Sequence, residues 1–123
     1  MENNVWSIDG IIKKFYFGED RLEDKDKKIR YDFLSNSEHC TLNAVQVVSE
    51  KGVPLHYHKD HDEIIQIIEG EGEAIIGNSK HQLKKGSLFF ASKGTPHALL
   101  FPCIILSIYA PEFDSENPDR VFL

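Results

Sequence analysis

Residues 56–63 read HYHKDHDE, three histidines, two aspartates and a glutamate within eight positions. A solvated charged turn and a set of metal ligands share that composition, and spacing separates them. In a β-strand, side chains at i and i+2 share a face, so His56 and His58 project together while Tyr57 points away. Lys59 to Asp62 have the composition of a turn, and Glu63 opens the next strand. If that strand pairs antiparallel to the first, the carboxylate of Glu63 returns beside the two imidazoles. Two histidines and a carboxylate converging on one point form a facial set used for divalent transition metals.

The strand that follows, EIIQIIE (63–69), is apolar on both faces, with Ile65 and Ile67 beside Glu63 and Ile64 and Ile68 opposite. A sheet with one wet face alternates apolar and polar residues. Here both faces need cover, one from a barrel interior and one from a second layer or another protomer, which points to a homodimer. Further runs, TLNAVQVVS, EAIIG, SLFFAS, HALLF and IILSIYA, are short, β-branched or apolar, and divided by Gly, Pro, Asn and Ser. They predict an all-β sandwich or barrel of antiparallel strands. No segment sustains a 3.6-residue period, so little helix is expected. Residues 19–30, EDRLEDKDKKIR, read as a solvated turn or short exposed helix. The tail PEFDSENPDRVFL carries Phe113, Val121, Phe122 and Leu123, which are expected to pack on the barrel or on a partner subunit.

The chain has 123 residues, a length that suits one domain with its own core. A formal net charge of −6 supplies no basic field, which argues against nucleic acid and anionic membrane as partners. No apolar run approaches the roughly 20 residues that span a bilayer. The opening MENNVWSIDG lacks the basic and apolar regions of a secretion signal. Cys40 and Cys103 do not form a disulfide framework, so a reduced, cytoplasmic protein is expected.

A fourth ligand is available downstream. His97 follows the turn Lys93-Gly94-Thr95-Pro96, and Pro96 fixes the entry into the strand it opens. His56-Tyr57-His58, four residues, Glu63, six residues and Gly70 together resemble the first motif of the cupins. Gly86, Gly94 and His97 fit the spacing of the second. The resemblance covers about residues 41–110. Gly52 lies closer to His56 than the family's glycine, Ser92 replaces its proline and Phe101 its asparagine.

The resemblance implies a single cupin domain over 1–123, an antiparallel double-stranded β-helix or jelly-roll barrel. N-terminal strands and the C-terminal tail would pack on its motif-bearing core or on a partner. It also implies one divalent transition metal (Fe, Mn, Ni, Zn, Co or Cu) on His56, His58, Glu63 and His97. Leu99 and Phe101 share the strand parity of His97 and, with Phe89, are expected to line an apolar pocket. His61 is a candidate to support the ligands from behind or to move a proton. Four protein ligands on an octahedral ion leave two positions for a small molecule or dioxygen. Candidate activities are those of a dioxygenase, decarboxylase, isomerase or lyase, and the alternative is a non-catalytic small-molecule binder. No general acid or base stands out in the sequence.

Overall fold

The computed structural model describes residues 4–18 and 22–123. A single helix, α1 (Ile8–Phe17), precedes strands β1 (Leu22–Asp24), β2 (Ile29–Asn36), β3 (Thr41–Val47), β4 (Val53–Tyr57) and β5 (Asp62–Glu69). After these come β6 (Gly72–Ile76), β7 (Ser79–Leu83), β8 (Leu88–Ala91), β9 (His97–Leu99), β10 (Cys103–Ala110) and β11 (Val121–Phe122). Their pairing is antiparallel throughout, in a six-stranded sheet β1-β2-β3-β10-β5-β8 and a five-stranded sheet β11-β4-β9-β6-β7. This is the jelly-roll barrel expected from the motifs.

Side-chain alternation places the core. Val45 and Val47 of β3, Ile65 and Ile67 of β5, and Cys103 and Ile105 of β10 face inward to meet Leu99, Ala74 and Leu83 from the other sheet. Phe101 lies beyond the end of β9 and belongs to this core. Gly72 makes room for it, since a Cβ there would lie 2.6 Å from the Phe101 ring. Gly52 is required for a second reason. Its φ is +77°, and a Cβ would lie 1.8 Å from the Leu99 carbonyl oxygen, so no side chain fits where the chain turns into β4.

The strands ahead of the motif-bearing core are β1 and β2, and a helix not expected from the sequence precedes them at residues 8–17. Ser7 caps the helix, its hydroxyl accepting from the Gly10 N–H at 3.0 Å. Ile11 and Phe15, four residues apart, are buried against Ala44, Ile68 and Ile104 on the outer face of the six-stranded sheet. Lys14 pairs with Asp32 at 2.6 Å, and Tyr16 donates to Glu69 at 2.8 Å, fixing both sides of the docked helix. The second layer over the EIIQIIE strand is therefore this helix at the Ile68 end. At the other end Ile64 and its register neighbours Phe90 and Ile108 stay 39%, 57% and 38% exposed.

Residues 19–21 of the charged segment lie outside the described residues. The remainder is a hairpin, with a turn at 25–28 between β1 and β2, rather than one solvated turn or a helix. Lys28 adopts φ 53° there. Among the described residues no helix is long and apolar enough to cross a membrane.

Ten residues hold a helix in water poorly without tertiary packing, so α1 depends on its two buried side chains. Phe15→Ala is expected to lower the unfolding free energy by about 3 kcal/mol, read from urea denaturation. The β-sheet circular dichroism signal should survive.

Candidate metal centre

His56 lies in β4, directly opposite His97 at the start of β9. His58 follows the last residue of β4, and Glu63 is the second residue of β5. β4 and β5 do not pair with each other; they sit in opposing sheets. Glu63 therefore reaches the histidines across the barrel interior, not along a hairpin as the turn-like sequence between them implied. The Gly94 N–H, in the turn before β9, donates to the His58 carbonyl at 2.7 Å and ties the two histidine-bearing segments together.

The four side chains are buried, and one ligand atom from each lies within 4.8 Å of all the others. Each imidazole is held from behind. His56 Nδ1 donates to the Pro54 carbonyl at 2.8 Å and His97 Nδ1 to the Thr95 carbonyl at 2.9 Å, while His58 Nδ1 donates to the Asp119 carbonyl. With the proton on Nδ1, every Nε2 presents a lone pair to the interior. The carboxylate completes a set of acceptors: Glu63 Oε1 lies 3.1 Å from His58 Nε2 and 3.0 Å from His97 Nε2. The other carboxylate oxygen accepts from the Ser107 hydroxyl of β10.

The electrostatics follow from this crowding. Burial and the neighbouring His97 push the His56 imidazole down to about 4. Burial also opposes charge on Glu63, but the His58 and His97 rings beside it outweigh that and hold the carboxyl well below its usual range. Burial would lower His97 too; the adjacent Glu63 carboxylate prevails and raises it. Three imidazole nitrogens and one carboxylate, closely grouped and shielded from water, fit a single metal ion.

Behind these ligands stands the C-terminal tail, which packs on the barrel. β11 pairs with β4, Phe122 opposite His56, and Phe113 is buried 4.2 Å from the Tyr109 ring. Asp119 is its anchor. Its carboxylate accepts from the Lys59 and Asp60 N–H groups at 2.9 and 2.7 Å and from His61 Nδ1 at 2.7 Å. Burial acts against that charge, yet these bonds hold the carboxyl below its ordinary value. His61 also contacts the Glu112 carbonyl through Nε2 at 2.8 Å. It touches no ligand side chain by hydrogen bond; its influence on His58 runs through Asp119.

An apolar cavity of about 50 Å³ adjoins the cluster. Its wall includes His56, Glu63 and His97 together with Leu99, Ile65, Ile105, Tyr109, Arg120 and Phe122. Leu99 thus lies where parity placed it. Phe101 instead fills the core against Gly72, and Phe89, with its ring 6.3 Å from that of His97, packs on the core beside the cavity rather than lining it. Sequence reasoning passed over Ser107, Asp119, Arg120 and Phe122. The apolar residues of the tail signalled that it packs, but not where. Ser107 has an inner-face neighbour in Asn43, directly opposite on β3, whose buried amide has no partner among the described residues.

The cupin domain pattern matches residues 45–109, more than half of the chain. The chain belongs to the cupin family. Among curated relatives, uncharacterised proteins of Aquifex aeolicus and Methanocaldococcus jannaschii are each 32% identical. The matches cover 55% and 53% of this cupin and 59% and 55% of those proteins, so it spans little more than half their length. Among solved structures, KdgF from Halomonas sp. superposes with a TM-score of 0.67 at 21% identity, covering 80% of this chain and 92% of that one. Pac13 from Streptomyces, a nucleoside dehydratase also solved with uridine, gives a TM-score of 0.69 at 14% identity, covering 85% and 83%. At these identities the likeness is one of fold.

Asp119→Ala removes three hydrogen bonds at once and should release the tail. Limited proteolysis at neutral pH is expected to cut within residues 111–118 several-fold faster than in the wild type, with the barrel core still resistant.

Proposed function

We propose that this cupin is a divalent-metal-dependent enzyme acting on a small organic metabolite. The observation that carries the reading is the direction of three buried imidazoles. Their Nδ1 protons are all given to backbone carbonyls, and their Nε2 lone pairs converge with Glu63 at the mouth of an apolar cavity. His56, His58, Glu63 and His97 would hold the ion, which supplies Lewis-acid or dioxygen chemistry when bound. Ser107 orients Glu63, Asp119 orients His58, and Leu99, Ile65 and Ile105 exclude water from the reacting groups.

A second reading, a non-catalytic binder, is favoured by one observation. The non-ligand acids on the cavity wall are Tyr31 and Tyr109, and burial raises both phenols, so neither is a base at neutral pH. Turnover separates the two. Homodimerisation is also proposed, through the exposed apolar residues Ile64, Leu88, Phe90 and Ile108 on the outer face at the β8 edge. A cytoplasmic setting accords with two free thiols, Cys103 being pushed up to about 12 by burial.

Elemental analysis after expression in metal-supplemented medium is expected to find about one divalent ion per chain. His97→Ala should cut that content to a small fraction while the β-sheet signal persists; wild-type protein without metal would sink the proposal. Light scattering should give twice the 14.1 kDa of one chain, and Phe90→Asp should halve it.

A further inference from the structure

Arg120 is the sole cationic side chain on the cavity wall among the described residues, and its surroundings are unusual for one. Its guanidinium lies 4.8 Å from the centre of the Tyr31 ring and 5.3 Å from that of Phe113. No ion pair and no side-chain hydrogen bond engages it among the described residues, and the rest of the wall beyond the metal cluster is aliphatic or aromatic. Its only hydrogen bond comes from the backbone, the N–H donating to the Pro118 carbonyl at 3.0 Å. Arg120 is half-buried, and an arginine partly withdrawn from water ordinarily meets a carboxylate, because unsatisfied guanidinium donors are costly there. Here two aromatic faces hold the planar group, a contact that guanidinium favours. Its N–H edges remain for a ligand, and their fork matches a carboxylate in two parallel hydrogen bonds.

The cavity wall also holds His56, His97 and Glu63 of the cluster. A molecule that fills it therefore meets a cation at Arg120, apolar side chains at Val45, Val53 and Ile65, and these three members of the candidate metal centre. A volume of about 50 Å³ has room for about four water-sized groups, which sets a small size for the ligand.

We propose that Arg120 is the specificity-determining residue of the site and that it selects small organic monocarboxylates, binding the carboxylate as an ion pair. The assignment rests on the small-metabolite reading above. It deepens that reading by naming the ligand's charge and size.

The test is calorimetric titration of the full chain, both metal-free and metal-loaded as checked by elemental analysis. The probes are formate and acetate, the amide of each, and inorganic phosphate. At least one carboxylate should bind at least tenfold more tightly than its amide. Arg120→Gln should erase that preference by weakening the carboxylate alone, leaving metal content unchanged, and Arg120→Lys should restore part of it. Carboxylates binding no better than their amides, Arg120→Gln leaving the preference intact, or phosphate binding more tightly than every carboxylate would each overturn the assignment. A fall in thermal stability of Arg120→Gln without any change in the preference would show a role confined to holding the tail, and would overturn it as well. A chain that takes up no metal but keeps the Arg120-dependent preference would defeat the metal-enzyme reading and leave this one standing.

Discussion

Four electron-pair donors forced together inside a hydrocarbon core are unstable unless something positive satisfies them. That constraint organises the rest of the molecule. Glu63 is buried beside Ile65 and Ile67 with the Ser107 hydroxyl donating to one oxygen, while the His58 and His97 Nε2 atoms crowd the other at 3.1 and 3.0 Å. The imidazoles in turn are locked by backbone carbonyls from three separate segments, at Pro54, Thr95 and Asp119. Removing any of these carbonyls from place frees a ring to rotate, and the set loses its common focus. The barrel contributes the rigid frame. Three of the clustered side chains come from the five-stranded sheet and its edge and one from the six-stranded sheet, so an ion held there would tie the two layers together.

The tail belongs to the centre as much as the motif does. One residue, Asp119, fastens the β4–β5 turn with its carboxylate and His58 with its carbonyl. The next, Arg120, brings the cavity its positive charge, and Phe122 closes the wall beside His56, with ring centres 5.5 Å apart. Arginine stacking on Tyr31 and Phe113 adds a link between this tail and β2. Motif and tail thus contribute different parts, the first the four clustered side chains and the second a share of the wall beside them.

The ligand set was legible because its information is local. His-x-His on a strand fixes two rings on one face, and the family spacing then points to Glu63 and His97. The barrel was legible from short β-branched runs between turn formers. Other features depended on long-range register. HYHKDHDE reads equally as a hairpin or as a crossing between sheets, and only the packing of β5 against β10 and β8 selects the crossing. α1 escaped although Ile8, Ile11, Ile12 and Phe15 follow the i, i+3, i+4, i+7 spacing of one helix face, because the segment is short and Phe15-Tyr16-Phe17 resembles strand composition. The parity argument for Phe101 failed because β9 ends at Leu99, after which alternation no longer governs direction. Asp119 and Arg120 lie in a turn-rich segment whose contacts are set far away in sequence, at His58 to His61 for the first and at Tyr31 for the second.

The order of these parts along the chain has a consequence for biosynthesis. Every strand that carries a ligand, and β10 with Ser107, is translated before Asp119. A nascent barrel completed through Ala110 already owns all four donors, but His58 lacks the carbonyl that fixes its proton on Nδ1. During that interval the ring is free to choose either tautomer, and the centre is open on the side that Phe122 later covers. The segment after β10 thus closes a cluster whose four side chains all precede it in the chain.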